Sequence, residues 1–132
     1  MKKLLIILLL GFNLNSNAQQ SDNIIKITKD ITNIYNLLEQ DISDKKVDRF
    51  SGTIYRVKLK HSLTNLIDAQ DESIAIFLYI ETHAILSIIN KWLKEDLETH
   101  NIEQDRYISY TTQIHKCISN LEDEIDAVTY PF

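Results

Sequence analysis

The chain has few of the residues that shape loops, cross-links and cofactor sites. Its 132 residues include one cysteine, one proline, one methionine and two glycines. A single cysteine, Cys117, excludes an internal disulfide, so a packed core must hold the fold together. Gly11 lies in the N-terminal apolar segment, which leaves Gly52 alone in the rest of the chain. That excludes a glycine-rich phosphate cradle, and no Gly-x-Ser-x-Gly elbow occurs. Cys-x-x-Cys-His is absent, and Met1 is the only methionine, so covalent haem and Met/His haem ligation are not expected.

Metal motifs are missing as well. The residues three before the four histidines are Lys58, Ile80, Leu97 and Thr112, so Glu-x-x-His does not occur. The residues four after them are Asn65, Ser87, Gln104 and Ser119, so His-x-x-x-His does not occur either. Enzymes commonly present reactive groups on loops, and this sequence leaves little room for loops. It therefore reads as non-enzymatic, with no cofactor, metal or catalytic residue expected.

The N-terminus carries an address. Lys2 and Lys3 precede an apolar run from Leu4 to Leu10, and Ser16-Asn17-Ala18 sets small residues before Gln19. This order predicts a secretory signal peptide over residues 1–18, with residues 19–132 as a single domain, periplasmic or secreted. The run is too short to span a bilayer. The apolar stretch from Ile74 to Leu93 is interrupted by Glu81, His83, Asn90 and Lys91, so no membrane span is expected in the mature chain.

The formal charge is −5, from 14 basic and 19 acidic residues. Removing Lys2 and Lys3 leaves 12 basic residues against 19 acidic ones, a charge of −7. That excess argues against nucleic acid and anionic membrane as partners. The basic residues cluster between Lys45 and His61, whereas the chain from Ser62 onward is strongly acidic.

What the chain does have is helical periodicity, with no repeat and no low-complexity segment apparent. Ile24, Ile27, Ile31, Ile34 and Leu38 follow 3-4-3-4 spacing over a first helix from Asp22 to Ile42. A turn at Ser43–Lys45 leads to a second, Lys46 to Ala69. There Val47, Phe50, Ile54 and Val57 lie opposite Leu59, Leu63, Leu66 and Ile67. One straight helix cannot bury both sets against one neighbour, so a break, or a strand over 53–60, competes with an unbroken helix. Helix is preferred, because nothing else in the chain alternates as a partner strand would.

The third helix, about Glu72 to Leu97 and capped by Asp71, is apolar on two sides and is expected to be buried on both. Asn101 with Gln104 resembles a capping box for a fourth, which carries Tyr107, Thr111, Ile114, Ile118, Leu121, Ile125 and Val128. Cys117 lies on it as a small buried hydrophobe. Short connections make the economical fold an all-α, up-down-up-down four-helix bundle.

Two groups of residues stand out. Glu81 falls within the third helix's apolar face, level with His61, and a buried Glu81–His61 hydrogen bond is expected unless Glu81 escapes to a groove. Ile76, Tyr79, His83, Leu86 and Asn90 form a second stripe. In a square bundle that stripe would face solvent as a protein-binding seam; otherwise the first or second helix covers it. The functional expectation is an exported protein-binding module, for instance a periplasmic inhibitor or immunity protein acting on a secreted toxin or hydrolase. The alternatives are a self-associating adaptor or structural subunit, and a small-ligand carrier or enzyme using Glu81.

Overall fold

Four helices follow one another in the structure, a computed structural model that describes residues 22–71 and 73–129. They are α1 (Asp22–Ser43), α2 (Arg49–Asp68), α3 (Ala75–Glu98) and α4 (Gln104–Thr129). Each packs on its chain neighbours, and α1 closes the ring against α4, which gives the up-down-up-down bundle. The segment 1–18, expected from the sequence to be a signal peptide, lies outside the described residues.

The core follows one seam per helix. Ile24, Ile27, Ile31, Ile34 and Leu38 are all buried, as their spacing predicts. α2 is a single unbroken helix, with no strand over 53–60. It buries Tyr55, Leu59, Leu63 and Leu66 and leaves Phe50 and Val57 outside. The conflict between its two apolar faces is thus resolved by exposing one of them. Thr28, Thr32, Ser62 and Thr82 enter the core because each hydroxyl donates to the carbonyl one turn back, at 2.7–3.1 Å.

The loops at one end pair with each other. Asp48 N donates to Asn101 O at 2.8 Å and Glu103 N to Lys46 O at 3.1 Å, around an isolated antiparallel bridge between Val47 and Ile102. Both preceding helices end alike. Lys45 and His100 adopt left-handed φ of 61° and 62°. Lys46 N reaches back to Asp41 O, and Asn101 N to Asp96 O, both at 2.8 Å. These are Schellman caps without the usual glycine.

The similarity extends along the four helices. Each of these residues in the first hairpin, α1–α2, has its counterpart 55 positions later in the second, α3–α4. Tyr110 donates its hydroxyl to Asp41, and Tyr55 donates to Asp96, each pair joining the two hairpins. Arg56 contacts Tyr35 across α1–α2, and Thr111 contacts Asn90 at 2.5 Å across α3–α4. Core residues correspond too: Ile34 with Ile89, Leu38 with Leu93, Leu59 with Ile114 and Leu66 with Leu121. The bundle is therefore two equivalent hairpins related by an approximate two-fold axis. The sequence reading of no repeat is corrected, because the identical residues are too sparse to show without the contacts.

Two expected caps also differ. Asp71 accepts from Ser73 N and Oγ in the turn before α3, while Ile74 occupies the cap position with no side-chain bond. Asn101 donates to Thr99 Oγ1 rather than capping α4.

Candidate functional site

The expected seam is not a surface. Tyr79 is 8 % exposed and Leu86 0 %, so both belong to the core, and Ile76 is half-buried. α4 covers this side, and not α1 or α2. The amide of Asn90 donates to His115 Nε2 at 2.8 Å, and Thr111 donates to the same Asn90. His83 lies 3.6 Å from Glu122. The stripe is corrected from an exposed seam to the α3–α4 packing surface.

Glu81 and His61 do meet, with His61 Nε2 2.7 Å from Glu81 Oε1. Both side chains are about half exposed, so the pair lies at the rim of the α2–α3 groove, not in the interior. The buried amide of Asn65 donates to the same carboxylate oxygen at 3.1 Å. The cost of an isolated buried carboxylate is avoided by solvent and these two partners.

The buried carboxylate is Asp41, which sequence reasoning did not single out. Arg106 Nε donates to its Oδ2 at 2.6 Å, Tyr110 donates to the same atom, and the guanidinium lies over the Tyr110 ring at 5.3 Å. Burial is the largest influence on Tyr110, and the bond to Asp41 adds to it, so the phenol is held well above its usual range. Tyr55 is raised for the same two reasons, with Asp96 as its partner. These clusters pin one hairpin to the other. The Cys117 thiol is pushed up to about 12, first by burial, which keeps it neutral and unreactive.

A depression of about 1020 Å³ lies at the loop end, lined by Lys45, Lys46, His100, Glu103 and Asp105 among others. Its charged groups are of both signs and none is buried. Among the described residues no cluster of histidine, cysteine or acidic side chains is placed to hold a metal ion. No helix there is long and apolar enough to cross a membrane.

The outer surface of α2 and α3 is different. Phe50 is 74 % exposed, Val57 63 %, Phe77 70 % and Ile88 42 %. The Asn65–Glu81 bond sets the antiparallel register. A shallow pocket of about 160 Å³ agrees with it, bringing Ser51 and Ile54 beside Trp92 and Glu95. This register puts Val57 level with the α3 turn that contains Ile88.

The repeat supplies an internal comparison. The α1–α4 outer face is the counterpart of the α2–α3 face, position by position. Where the latter has Phe50, Ile54 and Val57, the former has Asp105, Ser109 and Thr112. Where the latter has Phe77, Ala84 and Ile88, the former has Asp22, Lys29 and Asn33. Asn33 also bonds Gln113 across its groove at 2.9 Å. Trp92 and Leu37 stay apolar on both faces. One bundle with two equivalent faces thus keeps one polar and the other apolar.

The fold defines the class: a four-helix bundle of two pseudo-equivalent hairpins. No protein-family model, curated protein or solved structure matches this chain.

Proposed function

We propose that this protein is an exported, non-enzymatic protein-binding module that docks through the outer face of α2 and α3. The observation that carries this reading is the contrast between the two equivalent faces. Polar residues on the α1–α4 face are compatible with the same helix pairing. The apolar residues at the matching α2–α3 positions are therefore not needed to close the bundle. Apolar side chains grouped along one groove favour association with another apolar surface. The order of the N-terminal segment, two lysines, seven apolar residues and a small-residue site before Gln19, supports export.

The test is a double substitution, Phe77→Asp with Ile88→Asp, in the chain beginning at Gln19, which retains all four helices. Both side chains point outward, so melting is expected to stay within a few degrees of the parent. Binding to the protein's partner, measured by co-elution and then by calorimetry, is expected to fall by at least about 100-fold. Unchanged binding with an intact fold would place the docking site elsewhere and overturn the reading. Export is tested separately, by finding the N-terminus of the protein recovered outside the cytoplasm. Residue 19 is expected.

A further inference from the structure

We infer that the partner on this face is a second copy of the chain, joined by a two-fold axis that runs along the helices and lays α2 of each copy over α3 of the other. The inference rests on the docking face proposed above and adds its occupant.

The first argument is register. Along the face, two apolar pairs of the helices stand at matching heights: Ile54 beside Trp92, and Val57 beside the turn of Ile88. A two-fold parallel to the helices preserves height and exchanges α2 with α3. It therefore sets Ile54 and Val57 of one copy over Trp92 and Ile88 of the other, twice. His61 and Glu81, already paired within one chain at 2.7 Å, also share a height. They remain adjacent across the interface, so polar meets polar.

The second argument is charge. α2 carries Arg49, Lys58 and Lys60, besides Arg56, which is paired with Glu39 on α1, and has no acidic residue before Asp68 at its end. α3 carries Glu81, Glu95 and Glu98 against Lys91 and Lys94, besides Asp96, which accepts from Tyr55 within the bundle. An axis along the helices puts the basic helix over the acidic one. An axis across them would stack α2 on α2 and α3 on α3, like charge on like.

The third argument is size. α2 has 20 residues, which at the helical rise makes it about 30 Å long. Two helices side by side, each about 10 Å wide, present roughly 600 Å² in projection. Accessible area on a corrugated face is larger than its projection, and a standard interface buries about 800 Å² per partner. The face is of the right size for one copy of itself.

The experiment is sedimentation equilibrium on the chain from Gln19, with two variants. A dimer mass is expected. Val57→Asp with Ile88→Asp is expected to raise the dimer dissociation constant by at least about 100-fold with helicity unchanged. Thr112→Asp with Asn33→Asp, the equivalent positions on the polar face, is expected to leave the dimer intact. Orientation is read by mixing a Val57→Cys chain with an Ile88→Cys chain under oxidising conditions. The mixed disulfide should dominate over either homodisulfide.

A monomer at all concentrations up to about 100 µM would overturn the second-copy inference. So would a dimer that survives the apolar-face variant, or one broken equally by the polar-face variant. A dimer whose homodisulfides dominate would overturn the stated axis. If the chain is monomeric but the Phe77→Asp, Ile88→Asp variant still loses a different protein, the docking face stands and only its occupant changes. If that variant loses nothing, both readings fall.

Discussion

Two tyrosine–aspartate bonds tie one hairpin to the other, and their chemistry gives the protein a defined response to alkali. Tyr55, Tyr110 and Cys117 are all held above their ordinary values, chiefly by burial. Those ordinary values are 10.0 for the tyrosines and 9.0 for the cysteine. Below them both folded and unfolded chains hold these protons, and the stabilisation is complete. Above them the unfolded chain releases protons that the folded chain keeps, so stability falls as pH rises. Each group contributes a slope of about 1.4 kcal/mol per pH unit until its folded value is reached. Denaturant midpoints between pH 8 and pH 11 should therefore decline. Tyr110→Phe should be less stable by about 1–3 kcal/mol at pH 8, because Asp41 loses a buried donor. It should also show a shallower alkaline decline, since one titrating group is gone. Of these three residues the sequence marked only Cys117 as buried. Tyr110 sits one turn from Tyr107, the residue that the apolar spacing picks out, and only the packing shows that its ring turns inward.

At the scale of the element, helix positions follow from periodicity but helix ends do not. α1 begins at Asp22 and ends at Ser43, within a residue of the spacing pattern. Asp71 and Asn101 have the right side chains for N-caps and still do not cap, because capping depends on backbone angles that a residue name leaves open. The C-terminal ends are more informative. Lys45 and His100 hold left-handed angles that favour glycine, and both helices accept this to close the same cap. Lys45→Gly and His100→Gly are each expected to stabilise the fold by about 0.5–1 kcal/mol, read by denaturant titration at pH 7. Loss of stability would mean that the side chains at these turns, which line the loop-end depression, contribute more than the backbone strain removes.

At the scale of the whole molecule the two hairpins are interchangeable in position. The connection from α2 to α3 and the gap from the end of α4 to the start of α1 lie at the same end of the bundle. The approximate two-fold relates one to the other. A circular permutant that joins residue 129 to residue 22 through a short flexible link, and opens within 69–74, is therefore expected to fold. Its melting temperature should stay within about 5 °C of the parent, because the inter-hairpin contacts are kept and only the order of the hairpins changes. A permutant that melts far lower would show that the α2–α3 connection stabilises the bundle in a way that its counterpart does not.

Local spacing alone was enough to show that the described residues form four helices, where those helices run, and which seam of α1 is buried. These depend on short-range spacing, since residues three and four apart share a face whatever the rest of the chain does. It also brought Glu81 and His61 together, because their heights follow from helix lengths and short loops. Which of two competing apolar faces on α2 and α3 enters the core was settled by the packing of the helices on one another. Both sides of α3 satisfy the helical pattern, and the choice depends on where α4 lands: it covers Tyr79 and Leu86 and leaves Phe77 and Ile88 outside. The repeat was hidden for a related reason. Its signature is a set of contacts exchanged between hairpins, Asp41 with Tyr110 and Asp96 with Tyr55, and such pairing acts across space between residues far apart in the chain.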